Sequence, residues 1–556
     1  MNYSKFRDLG ENAKSSQSNQ EQELQNLHPT NQDNPNDSRE GQEIDEVEPI
    51  NLMKADSYRQ IVDMDQALEL CGGFGKFQLI GSTFLMMAMV SSAFFLYSFA
   101  FLEHKPQYQC LNQETQIWET CLSLQFCNNP DVQWRINFED GESIHNLIEQ
   151  LNFHCEPDYK LGLFGSFFLL GIVVGCFTLA RAGDIYGRRR IFIIGMVSQI
   201  IVCTTILFST SIYFDYVLLF LIGWAITGKQ FVGFSYLIEL QPVKQQVIMG
   251  TAMFMLEAVA YLFICAYFSY ISKYWQYIQI PTIGFAVFGV IVVYFFPESP
   301  RFLLSQNRFT DLRDTLNTIA RINGKNPKTA NDFQFKEEQT QKNLLNQKFT
   351  NNPDFNDEPI SSSHSLKELC LDKTLRNNLI FSCIIWSCSM FNFYLITFYL
   401  KYFPGSIFSN SKWFAVSDFI SFLISGNILK RTNPQKTLFC SYLFSGLGSL
   451  TYLLFYWDVR LVPLFILMSR IGNSMAFNTV YVSNNRLFPT KFMTSTYGIV
   501  NFVSHLYAIG APLMAEISDP YPFTAFLLHS CIGAICSFFL KEINKEQKQP
   551  EAVMIH

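Results

Sequence analysis

The chain has 556 residues and a formal net charge of −6; 49% of its residues are hydrophobic and only 16% are charged. It is too long and too apolar for one ordinary soluble core, and no basic cluster speaks for a nucleic-acid partner. Mean hydropathy is +0.12 even though the first 70 residues are strongly polar, so the remainder is far more apolar than the average.

Residues 1–70 are rich in Asn, Gln, Glu and Ser and contain no signal-peptide core. Such a composition cannot bury enough apolar surface to fold alone, so a disordered cytosolic tail is expected. Beyond it, twelve apolar runs follow, near 77–102, 161–180, 191–211, 216–238, 248–270, 278–296, 379–400, 412–429, 437–457, 461–483, 494–517 and 522–540. A bilayer core of about 30 Å takes roughly 20 residues of helix, so each run is long enough to cross. Turn residues such as Asp215, Asp458 and the Asp519–Pro520 pair divide the closely spaced runs.

Lys and Arg set the expected orientation. With the N-terminus inside, the inner loops hold Arg181, Arg188, Arg189, Arg190, Lys244, Lys430, Arg431, Lys436, Arg486 and Lys491. The short outer loops hold only Lys273, Lys401, Lys412 and Arg460. Both termini, including the tail 541–556, are therefore expected in the cytosol, and the long loop 103–160 outside. That loop carries Cys110, Cys121, Cys127 and Cys155, an even number in an oxidising location, which suggests two disulfides of undetermined pairing. A polar stretch, 301–375, with a Ser tract at Ser361–Ser363, separates a half at 71–300 from one at 376–540. Two six-helix halves around a cytosolic loop are the plan of carriers built from repeats.

Three segments carry a family likeness. Gly183-Asp-Ile-Tyr-Gly-Arg-Arg-Arg190 lies between the second and third runs. Pro297-Glu-Ser-Pro-Arg-Phe-Leu-Leu304 follows the sixth, and Gly72-Gly-Phe-Gly-Lys-Phe-Gln78 enters the first. The first resembles the D-x-x-G-R-R loop of the major facilitator superfamily. The second resembles the PESPRWLL motif shared by sugar porters and organic cation/anion transporters, and the third the opening segment of the latter family. Arg470-Ile-Gly472, Ala476-Phe-Asn-Thr-Val-Tyr481 and Leu487-Phe-Pro-Thr490 are similar to that family's tenth span and its end. The likeness covers about residues 65–540. It implies an all-α membrane protein of the major facilitator fold, with twelve transmembrane helices in two six-helix halves, transporting small organic ions by alternating access.

The arginine loop is expected to latch the inner face. With Gly187 making the turn, Asp184 would meet the positive end of a neighbouring helix, and Arg188 and Arg189 would pair with carboxylates on the next helices, while Glu239 keeps an acid of the family pattern after the fourth run. Glu298 and Arg301 would join this gating network. The chain departs from the family pattern at Leu219, Gln246, Lys430-Arg-Thr-Asn-Pro434, Arg486 and Met493, so part of the usual charge network is missing. A non-transporting sensor or scaffold on the same fold is therefore an alternative, and a sugar-porter-like carrier is another.

Ionisable residues inside spans mark a cavity by default. Lys229, Glu257, Asp418, Arg470 and His505 qualify, while runs 3, 6, 9 and 12 hold no Asp, Glu, Lys or Arg, as lipid-facing helices should. At 1.5 Å per helical residue, Lys229 and Glu257 both lie roughly 14 Å from the inner edge, a depth at which they can pair. Asp418 and Arg470 both fall in the outer half of the second repeat. His505 stands where the resemblance implies an acid in cation carriers and an arginine in anion carriers. Phe422 stands where anion carriers have Lys, which favours cations or zwitterions. Trp386, Tyr394 and Tyr481 are the aromatics best placed to meet such a substrate. No nucleotide loop, metal cluster or nucleophile constellation is present. The expected partners are a small organic ion and the lipid bilayer, with no cofactor, nucleotide or enzyme activity, and the plasma membrane is the family's usual address.

Overall fold

The computed structural model describes residues 60–349, 369, 371–455, 461–489 and 492–542. Asp458, Arg460, Lys491, Ser361–Ser363, most of the N-terminal tail and the end of the C-terminal tail lie outside the described residues, as do the side chains of Lys430 and Met493.

Backbone amides cannot go unpaired in lipid, so the apolar runs fold as helices. Those of the first half are α1 (Lys76–Leu102), α2 (Asp158–Tyr186), α3 (Arg188–Ile206), α4 (Ile212–Glu239), α5 (Val243–Ile271) and α6 (Trp275–Phe295). The second half has α7 (Lys373–Tyr402), α8 (Ile407–Arg431), α9 (Pro434–Phe455), α10 (Val462–Leu487), α11 (Thr496–Ala515) and α12 (Tyr521–Ser537). Among the described residues nine of these are long and apolar enough to cross a membrane. The other three fall short for visible reasons. Helices α8 and α10 carry Lys412, Asp418, Arg431, Arg470 and Arg486, and α12 has only 17 residues.

Apart from α5, which packs most extensively on α8, helices α1–α6 pack chiefly on one another, and so do α7–α12. The halves meet where α5 runs against α8 and α2 against α11. Helices α2 and α4 touch through bare backbone: a Cβ on Gly171 would sit 2.0 Å from the Phe220 carbonyl oxygen, and one on Gly223 would sit 2.0 Å from that of Phe168. Ile201, Ile291, Leu454 and Ile535, on α3, α6, α9 and α12, stand exposed, the surface a helix turns to acyl chains.

One end of the bundle carries the disulfide loop and is here called the disulfide face. The loop folds as an antiparallel sheet in the order β3 (Trp118–Cys121), β2 (Tyr108–Leu111), β4 (Trp134–Ile136). Two disulfides join Cys110 to Cys121 across that sheet and Cys127 to Cys155. Asn146 ties the loop to the end of α1 by donating to the Phe101 and His104 carbonyls at 2.9 and 2.7 Å.

The opposite, arginine face holds a correction to the tail boundary. Residues 60–70 are ordered: β1 (Gln60–Val62) pairs in parallel with β5 (Phe333–Phe335), and a helix follows over Met64–Leu70. Asp63 closes that helix's N-terminus with a capping box, and Val62, Ala67 and Leu68 are fully buried. The polar composition of the tail hides this short apolar stretch, which folds against a helix 240 residues away, over Phe309–Ile322, rather than alone.

Asn323, just after that helix, explains the glycine motif entering α1. Its Nδ2 donates to the Cys71 carbonyl at 3.1 Å and to Gln78 Oε1 at 3.0 Å, and its Oδ1 accepts from the Phe77 amide at 2.8 Å. A Cβ on Gly75 would lie 2.4 Å from Asn323 Cγ, so no larger residue fits there. Replacing Asn323 by Ala strands these partners and is expected to cost about 1–3 kcal/mol, read as a lower melting temperature in detergent. An unchanged melt would show that the junction contributes nothing to stability.

Candidate functional site

A cavity of about 770 Å³ lies between the halves. Its wall is aromatic: Tyr97 from α1, Phe168 from α2, Phe231 and Phe234 from α4, Phe254 from α5, Phe393 and Tyr394 from α7, Phe422 from α8, Phe477 and Tyr481 from α10, and Tyr497 from α11. Among the described residues it is lined by one carboxylate, Glu257, by one imidazole, His505, and by no Lys or Arg.

Glu257 is held by its neighbour across the helix interface. Gln230 Nε2 donates to Glu257 Oε1, and Gln230 Oε1 accepts from Ser92 Oγ at 3.0 Å, which fixes the amide with its NH2 toward the acid. The carboxylate is only partly buried and faces the cavity.

Lys229 does not pair with Glu257, contrary to the depth argument. Its Nζ is fully buried on the other side of α4, donating to Ser91 Oγ at 2.8 Å and Gln199 Oε1 at 2.5 Å. Depth along a helix says nothing about azimuth. One residue is a rotation of about 100°, and that step hands the cavity-facing position to Gln230.

Asp418 and Arg470 do meet. Arg470 Nε and Nη2 donate to the two Asp418 oxygens at 2.9 and 2.6 Å, and Ser474 Oγ adds a bond to Oδ1 at 2.5 Å. Arg470 Nη1 reaches Thr397 Oγ1 at 2.9 Å, so the pair locks α7, α8 and α10 together. Both side chains are fully buried, and the guanidinium lies 4.6 Å from the Phe393 ring centre, so that ring stands between the pair and the cavity. The pair is therefore removed from the lining where sequence reasoning expected it.

His505 reaches the cavity wall. Its Nδ1 lies 2.9 Å from the Asn501 carbonyl, which only accepts, so Nδ1 carries the hydrogen. Tyr394 and Tyr481 line the wall, while Trp386 stands one layer back, 4.9 Å from the Tyr481 ring and 5.5 Å from Tyr497. Sequence reasoning missed Gln230, Tyr97, Tyr497 and five of the seven phenylalanines, Phe168, Phe231, Phe234, Phe254 and Phe477. Gln230 was legible as a polar residue inside a span; one phenylalanine among 55 was not.

Toward the arginine face, Phe234, Tyr481 and Tyr497 also belong to a second cleft, lined further by Ser235, Glu239, Gln246 and Asn484. Three aromatic rings thus separate the cavity from this vestibule. Toward the disulfide face, Tyr97 stacks on Tyr261 at 4.4 Å.

Beside the vestibule, Arg188 donates to Asp184 and, through Nε, to Glu239 at 3.1 Å. Glu298 Oε1 accepts from the Arg188, Arg189 and Ser299 amides at 3.0, 3.2 and 2.9 Å. Gly187 sits at φ +106°, and a Cβ there would strike Glu298 Oε2 at 2.4 Å, so this turn admits only glycine. Two expected pairings are replaced. Arg189 donates to the Tyr294 carbonyl at 2.7 Å instead of to a carboxylate, and Arg301 pairs with Asp65 at 2.6 Å instead of with the arginine loop. The ordered start of the chain supplies Asp65, a partner the loop-only reading lacked.

Residues 150–512 match the family model described as Major Facilitator Superfamily. Organic cation/carnitine transporter 4 of Arabidopsis thaliana is 22% identical over 90% of this chain and 92% of its own length. Organic cation/carnitine transporter 2 of Homo sapiens is 22% identical over 73% of this chain and 71% of its own, and organic cation transporter 1 of Caenorhabditis elegans 22% over 86% of each. Among solved structures, the xylose transporter XylE from E. coli in a partially occluded inward-open conformation aligns with a TM-score of 0.53 at 14% identity, covering 82% of this chain and 95% of that one.

Proposed function

The chain belongs to the Major Facilitator Superfamily and is an integral membrane protein, and from that premise we propose that it carries small organic cations across its membrane by alternating access. The single observation that carries this reading is the charge of the cavity, in which one carboxylate faces an aromatic wall that no lining Lys or Arg offsets. A quaternary or protonated amine gains both Coulomb attraction from Glu257 and cation–π attraction from the surrounding rings. Among the described lining residues no Lys or Arg offers a free organic anion a partner. A zwitterion places its ammonium at Glu257 and its carboxylate against the hydroxyls of Tyr97 or Tyr394. The names of the organic cation/carnitine relatives agree with this choice. A sugar would need many more hydrogen-bonding groups than Ser92, Gln230 and a few hydroxyls supply.

In this reading the halves at 71–300 and 376–540 rock about the cavity, with the loop 301–375 on the cytosolic side. Asp184, Gly187, Arg188, Arg189, Glu239, Glu298 and Arg301 brace the inner end of the first half. The disulfide face points out of the cytosol, which the oxidised cysteines and the excess of Lys and Arg at the opposite face both support. The plasma membrane is the address proposed for it.

The test is uptake into proteoliposomes of purified protein, using radiolabelled tetraethylammonium, L-carnitine and p-aminohippurate. Saturable entry of the first two and none of the third is the expected result. Preference for p-aminohippurate overturns the charge assignment. Ligand-dependent thermal stabilisation without flux replaces the carrier by a sensor on the same fold.

A further inference from the structure

At the disulfide face, three charged side chains from three elements meet in a dry junction between the halves. Lys401, at the end of α7, donates from Nζ to Glu103 Oε2 at 2.9 Å and to Glu516 Oε1 at 2.7 Å. Glu103 follows the last residue of α1, and Glu516 follows the last residue of α11. Their side chains are 2%, 0% and 3% exposed in the order Lys401, Glu103, Glu516. Tyr402 hydroxyl donates to the second Glu516 oxygen, but Glu103 Oε1 is buried with no hydrogen-bond partner. Two carboxylates therefore share one ammonium away from water, leaving one uncompensated negative charge and one bare acceptor. Such a site is costly unless it takes up a positive charge, and a proton on Oε1 both removes the surplus charge and turns the bare acceptor into a hydroxyl.

We propose that Glu103, Lys401 and Glu516 form the gate that shuts the cavity at the disulfide face, and that each closure of it binds one proton at the Glu103–Glu516 pair. The gate joins the first half, through Glu103, to the second, through Lys401 and Glu516, so it must break for the halves to part here. The inference rests on the alternating-access reading for its role in transport, but the proton site itself is independent of any substrate.

Glu103 is the most deeply buried member of the junction, its side chain 0% exposed. His104 is pushed down to about 4 by burial and then by the Lys401 charge, so it stays neutral. Lys105 is occupied by Asp158 in a half-exposed pair at the start of α2. Burial pushes the Glu103 carboxyl up to about 7; Lys401 pulls it down and Glu516 raises it. Opening returns it toward the ordinary 4.5. The closed state thus holds its proton more tightly, so closure strengthens as pH falls through about 7 and stops gaining near 4.5. The steepest change one proton allows is about tenfold per pH unit.

Hydrogen exchange of the full chain in detergent micelles between pH 5.5 and 8.5, corrected for intrinsic rates, tests this without substrate. Amides at 97–106, 398–406 and 513–518 are expected to gain protection as pH falls, while those around Asn323 at the arginine face serve as the control in the same digests. Glu103→Gln and Glu516→Gln each remove the surplus charge, so both variants should hold high protection at every pH. Lys401→Met should lose protection at pH 8 in these segments only. A flat wild-type profile overturns the proposal, and so does an unchanged pH slope in both glutamine variants. Because tetraethylammonium uptake is read separately, failure of the gate and failure of the carrier reading are distinguishable.

Discussion

Glu257→Gln is expected to cut kcat/KM for tetraethylammonium about 30- to 5000-fold while leaving the melting temperature nearly unchanged. The size follows from removing one partner of a desolvated charge pair, worth about 2–5 kcal/mol. Stability is spared because the new amide retains an oxygen for Gln230 Nε2 and fills the same volume. Lys229→Met should behave in the opposite way. It strands Ser91 and Gln199 inside the first half, lowering the melting temperature without changing preference between cationic and anionic substrates. Should uptake by Glu257→Gln match the wild type, the carboxylate does not hold the substrate and the cation assignment falls with it.

The largest stability effect is expected at the other intramembrane pair. Asp418→Ala leaves the Arg470 guanidinium buried with no counter-charge, at a cost of about 3–5 kcal/mol. Little folded protein should survive purification, and what does should melt far below the wild type. Replacing both partners with apolar residues, as Asp418→Leu with Arg470→Met, should recover most of the loss, because no lone charge is then buried. The double variant should also still prefer tetraethylammonium to p-aminohippurate, since the pair lies behind Phe393 rather than in the cavity. A double variant that melts as low as the single one would mean that the hydrogen bonds to Thr397 and Ser474, not the charge balance, set the stability of this half.

These two pairs also measure how far sequence reasoning reached. Asp418 and Arg470 were legible because charges that deep in apolar runs need partners. Their removal from the cavity was not legible, because it depends on where Phe393 lies on α7. Glu257 was singled out for the same reason as Lys229, yet only one of the two faces the cavity. The arginine loop holds Arg188 against Asp184 and Glu239 and its amides against Glu298, and Asp184 meets that arginine instead of the neighbouring helix end expected for it. It was misread at Arg301, whose partner Asp65 lies 236 residues away in a segment assigned to the tail.

The sequence by itself determined the positions of the apolar runs, the polar stretch between the halves and the cysteine-bearing loop. The physical reason is local: a bilayer offers no hydrogen bonds, so run length and polarity alone dictate what can be a spanning helix. Tertiary structure alone decided which cysteines joined, which side of α4 met the cavity, and which two carboxylates shared Lys401. Those outcomes depend on the rotation and approach of helices distant in the chain, set by packing of whole surfaces such as the bare backbone contact at Gly171 and Gly223.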